Sequence, residues 1–147
     1  MYLSRRILLL AAGVLAGADA SAAEPSFTGV WSIDLRTPEQ RAQHAECGEA
    51  SFALKQTDKQ VTGSHSMATV GCGRANEGGE GTVRGMVTGR RAVLVVTSSR
   101  SGAIVKGTAT LRQDALYWET EEEIKAAEPA GDSALILGRG LLRRVKQ

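Results

Sequence analysis

The sequence predicts an all-β domain, an eight-stranded antiparallel up-and-down barrel with one short helix after the first strand. Three observations carry this: apolar residues recur with a period of two, turn-forming Gly, Ser, Thr, Asn and Asp interrupt them every eight to twelve residues or so, and the segments number enough to close on themselves. At 147 residues, of which 42% are hydrophobic and 23% charged, the chain is sized for one domain and composed for a packed core. Its net charge of +2 suggests no dominant polyanionic partner, and 4% aromatics provide few stacking platforms.

The chain begins with the basic pair Arg5-Arg6, an apolar run from Ile7 to Ala18, and the small residues Ala20-Ser21-Ala22-Ala23. This order is that of a secretory signal peptide over residues 1–23, leaving residues 24–147 as a single domain. The apolar run would reach only about 18 Å as a helix, against the roughly 30 Å of a hydrocarbon core, so no stable membrane anchor is expected after cleavage. A periplasmic or secreted location follows, and there the two cysteines, Cys47 and Cys72, are expected to pair.

Strands are expected near Phe27–Asp34, Ser51–Gln56, Val61–Ala68, Gly81–Val87, Arg91–Thr97, Ala103–Leu111, Ala115–Thr120 and Ala134–Val145. Thr37-Pro38-Glu39-Gln40 supplies an N-cap, a proline for the first helical position and a glutamine three residues after the cap, which predicts a helix near Pro38–Glu46. The Gly-rich stretch Val70–Gly81 and the acidic stretch Glu121–Ser133 read as loops.

A turn at Asp58-Lys59 sets Phe52 opposite His65 and Leu54 opposite Gly63, placing Phe52, Leu54, His65 and Met67 on one face. Extended outward, the same hairpin brings Cys47 and Cys72 nearly face to face, where a disulfide would clamp its open end. A turn at Thr88-Gly89 joins Val83, Gly85 and Val87 to Ala92, Leu94 and Val96 on one face, and Trp118 falls opposite Ala109. Gly63, Gly85 and Gly107 each follow a Val-x pair on the inward side, serving strand curvature in one reading and space for a ligand in the other.

In Phe27-Thr28-Gly29-Val30-Trp31 the residues Phe27, Gly29 and Trp31 alternate onto one face. Gly29-Val30-Trp31 resembles the Gly-x-Trp first strand of the calycins, the lipocalin and avidin-like barrels. That resemblance implies that Trp31 plugs one end of the barrel and that Arg143 or Arg144 stacks over it. With only Trp31 and Trp118 as tryptophans, the chain lacks the multi-tryptophan box of a biotin site.

Among candidate chemical groups, His65 stands out because it falls on an apolar face, where an imidazole must find a partner or remain neutral. It is either a satisfied core histidine or a polar contact to a ligand. Glu119, Glu121, Glu122 and Glu123 read as a solvated face. His44 and His65 lack paired zinc spacings, and no calcium loop, nucleophile elbow or phosphate-cradling glycine motif is present, so no metal, cofactor or catalytic residue is assigned. The basic pairs Arg90-Arg91 and Arg143-Arg144 have no interleaved aromatics, against a nucleic-acid module.

The reading favoured by the sequence is an exported, non-enzymatic protein that holds a small, largely apolar ligand against Phe52, His65, Met67 and Trp118. The alternative is an exported protein-interaction module, such as a hydrolase inhibitor, that uses the loops at 70–81 and 121–133. An enzyme working in the barrel mouth is a third, with no motif behind it.

Overall fold

A computed structural model describes Gly17, residues 24–128 and residues 135–147; the expected signal peptide, apart from Gly17, lies outside the described residues. The elements are β1 (Gly29–Asp34), α1 (Pro38–Ala42), β2 (Cys47–Thr57), β3 (Gln60–Val70), β4 (Ala75–Thr88), β5 (Arg91–Thr97), β6 (Ile104–Arg112), β7 (Ala115–Lys125) and β8 (Arg139–Arg144). Each strand pairs antiparallel with the next, and β1 pairs with β8, closing the barrel. Closure leaves no unpaired sheet edge.

Register follows the alternation read from the sequence. Phe52 pairs with His65 and Leu54 with Gly63. Val83, Gly85 and Val87 pair with Val96, Leu94 and Ala92, and Ala109 with Trp118. A one-residue slip in any of these pairs would turn the apolar set outward, which is why period-two patterning fixes the pairing so firmly. The inward residues form one core that includes Phe27, Trp31, Phe52, Met67, Leu94, Leu116, Trp118 and Leu142.

Several boundaries differ from expectation. Ala75–Gly81, expected as loop, belongs to β4: Ala75–Gly78 pair with Ala68, Met67, Ser66 and His65 of β3, and a register shift follows before Val83 pairs with Gly63. Glu121–Lys125 likewise extends β7; its charged side chains face water while the backbone pairs with β6, and Lys106 meets Glu122 at 3.1 Å. The last strand begins at Arg139 rather than Ala134, and residues 129–134 lie outside the described residues. Helix α1 has the expected capping box at Thr37 and Gln40 but ends at Ala42, since His44 adopts a left-handed φ of 55°.

An up-and-down barrel gathers alternate connections at opposite ends. The tight turns after β2, β4 and β6, together with both strand ends that close the barrel, make one end, called here the turn end. The connections after β1, β3, β5 and β7 make the other, the loop end.

Candidate functional site

At the turn end, Trp31 is fully buried and its Nε1–H donates to Phe27 O at 2.9 Å. Arg144, not Arg143, lies over the indole, with its guanidinium carbon 4.1 Å from the ring centroid. The same guanidinium donates to Thr28 O and Ser26 O, tying the segment before β1 to the last strand. Gly29 has φ of 142° and a Cβ there would collide with Arg144 Nη1, so this position requires glycine both for its backbone and for the arginine's approach. Arg143 points outward toward Asp114 at 3.8 Å.

The middle of the barrel is filled. Phe52 and Trp118 are fully buried with ring centroids 5.1 Å apart at an interplanar angle of 56°, a tilted aromatic contact that leaves no gap between them for a third group. Met67 is buried beside them in the same core. At Gly63, Gly85 and Gly107 an added Cβ would strike, respectively, the Ala53 carbonyl, the Val93 carbonyl, and both the Glu119 carbonyl and the Trp118 ring. These glycines therefore serve close approach of neighbouring strands and, at Gly107, of the indole.

The loop end is organised differently. The Cys47–Cys72 disulfide, with Cα atoms 5.3 Å apart, joins the start of β2 to the turn after β3, and it is consistent with an oxidising, extracytoplasmic setting. Backbone bonds reinforce it: Gly71 N–H donates to Glu46 O and Cys72 N–H to Thr69 O, each at 2.9 Å. The connection after β1 is held by Arg36, which donates to both carboxylate oxygens of Asp34 at 3.0 and 2.9 Å and to Ala45 O at 3.1 Å. The Arg36 guanidinium holds the Asp34 carboxyl at a pKa of about 2, well below the usual carboxylate range. Residues Cys72–Ala75, with Arg100, Ser101 and Glu128, line an open groove on this rim.

Across the mouth runs the strap 135–138. Asn76 Oδ1 accepts from Ile136 N–H at 2.6 Å, Trp118 Nε1–H donates to Leu137 O at 3.1 Å, and Thr120 N–H donates to Gly138 O at 2.7 Å. Leu135 and Leu137 are buried beneath it and join the core.

His65 is 4% exposed, and desolvation alone pushes its pKa down to about 4. The ring is therefore neutral at pH 7. Of the residues singled out from sequence, Phe52, Met67 and Trp118 form the packed interior and His65 borders it; Gly29 and Trp31 close the turn end; Cys47 and Cys72 clamp the loop end. Sequence reasoning did not single out Asn76 or Ser98, both buried polar residues at the mouth. For Ser98 the available signal was alternation, since it continues the row of Leu94 and Val96; Asn76 had none, because the register shift between Gly78 and Val83 breaks the period of two along β4. Among the described residues no group of three or more His, Cys, Asp or Glu is placed to hold a metal ion. Comparison with family models, curated proteins and solved structures returns no significant match.

Proposed function

We propose that the chain is an exported, non-enzymatic protein-interaction module, acting in the periplasm or outside the cell, that presents the loop end of a calycin-like barrel to a protein partner. The observation that carries this reading is the Phe52–Trp118 contact in a core that also buries Met67 and Trp31, because a filled barrel must recognise from its surface. The disulfide and the Arg36–Asp34 fork hold two of the rim connections to the scaffold, so they would lose little freedom on binding. The contact surface in this reading is smaller than the two loops expected from sequence. It comprises residues 35–46, 71–74, 98–103 and 126–128, since Ala75–Gly81 and Glu121–Lys125 belong to strands.

The test is partner capture by crosslinking in an extracytoplasmic extract of the native host. Reversing charge on the rim with Arg100→Glu should abolish capture without moving the melting temperature, whereas Lys59→Glu at the turn end should leave capture intact. Equal loss from both variants, or from neither, would refute a loop-end surface.

A second reading keeps a small apolar ligand against Phe52, His65, Met67 and Trp118. What favours it is the strap: residues 135–138 are tied to Asn76, Trp118 and Thr120, and release of that segment would uncover part of the core. Native mass spectrometry separates the two, because only the second reading requires a retained apolar molecule.

A further inference from the structure

A pair of buried polar atoms at the loop end leads beyond protein recognition and does not depend on it. His65 sits on the inward face of β3, opposite Phe52 on one side and Gly78 on the other. Its ring lies over Gly78, where a Cβ would come within 2.7 Å of His65 Cε1. Ser99 N–H donates to Glu77 O at 2.8 Å, which sets Ser98, just past the end of β5, beside the Glu77–Gly78 segment of β4 that pairs with Ser66 and His65.

The hydrogen-bond network assigns the tautomer. Thr82 O–H donates to Gly79 O at 2.7 Å, and its oxygen lies 3.2 Å from His65 Nδ1. A hydroxyl has a single proton, so Nδ1–H must be the donor to Thr82 Oγ1, and Nε2 carries a lone pair. His65 is 4% exposed and Ser98 2% exposed. Among the described residues, His65 Nε2 and Ser98 Oγ are the buried side-chain atoms without a hydrogen-bond partner. Buried polar atoms are ordinarily satisfied, and these two orphans belong to residues on either side of β4 at the same end of the barrel, where one group could satisfy both.

We propose that His65 Nε2 and Ser98 Oγ frame an internal site for one small neutral hydrogen-bonding group, which donates to the ring and accepts from the hydroxyl. The chemistry selects this class. A lone pair on Nε2 repels an anion, and a cation would enter a core of Met67, Val83 and Val96 in which no Asp or Glu is buried among the described residues. Water, an alcohol hydroxyl or a primary amide each offers both a donor and an acceptor. Asn76, two residues before Gly78 on β4, tethers Ile136 at the same end of the barrel.

The experiment is long-range proton–nitrogen correlation NMR on the mature chain labelled with nitrogen-15 at histidine, at pH 7, with and without acetamide. The site predicts the Nδ1–H tautomer and an Nε2 resonance displaced to the hydrogen-bonded position, a displacement that diminishes in Ser98→Ala. Should that variant not fold, Ser98→Cys, which keeps the volume and weakens the donor, gives the same reading. A saturable acetamide-dependent shift assigns the guest to an organic amide or alcohol end. A hydrogen-bonded resonance that ignores acetamide and shows magnetisation transfer from water assigns it to trapped water. An Nε2 resonance at the unpaired position, or one unchanged by loss of the Ser98 hydroxyl, overturns the proposal.

Discussion

The two ends of this barrel solve the same problem with different chemistry. At the turn end, aromatic rings and one guanidinium do the closing: Trp31 gives its only polar hydrogen to Phe27, and Arg144 covers the indole while bonding backbone carbonyls. At the loop end, closure depends on a covalent bridge, a polar tether from Asn76 and a strap, with His65 and Ser98 left short of partners. A barrel end built from fully satisfied packing has no spare interactions to offer; one built with orphaned polar atoms and exposed connections does. On the proposed function, recognition belongs to the loop end and stability to the turn end.

That division can be broken by substitution. Trp31→Ala should cost the most, about 3–5 kcal/mol by chemical denaturation, since it removes one of the two buried indoles and leaves Arg144 without its platform. A loss well under this range would mean that the turn end is not the stabilising one. Reduction of Cys47–Cys72 should cost roughly 2–4 kcal/mol through freedom regained by the unfolded chain. Hydrogen exchange should then show its added opening at the β2 start and residues 71–74, not at β8; uniform loosening would contradict the separation of the two ends.

The histidine sharpens the comparison through pH. Its folded-state pKa of about 4 lies below the ordinary 6.5, so the unfolded chain takes up the proton first. Stability attributable to the neutral ring is fully present above pH 6.5 and falls as the pH drops from there toward 4, by roughly 2 kcal/mol once water access is allowed for. His65→Gln should flatten that part of the profile, and an unchanged slope would remove His65 from the account. The smallest effect belongs to Arg144→Lys, expected to cost on the order of 1 kcal/mol, because an ammonium retains charge but loses the planar stack and the paired donors. A neutral result would show that charge alone suffices over Trp31.

What could be read from the sequence was whatever a period of two controls. Phe52 opposite His65, and Trp118 opposite Ala109, followed from alternation plus a recognisable turn, because a slipped register would bury charge. Strand length was not legible at the loop end. Gly78, Gly79 and Gly81 make β4 look like loop, yet its backbone finds partners in β3 whatever side chains it carries; the glutamates of β7 do the same from β6. His65 was conspicuous as a lone imidazole in an apolar row. Its companions were less so, since Ser98 carries the alternation of Leu94 and Val96 into a segment whose composition reads as turn, and a register shift in β4 takes Asn76 out of the period of two. Arg144 over Arg143 was likewise undecidable until β8 took its register against β1, where Trp31 pairs with Arg144.

The filled interior is the claim on which the division of labour rests, and native mass spectrometry of mature protein purified from its own host tests it most directly. The expected mass is that of the polypeptide with one disulfide, carrying nothing larger than the small neutral guest placed at His65. A stoichiometric apolar molecule, released only by organic solvent, would contradict the account and return recognition to the barrel core.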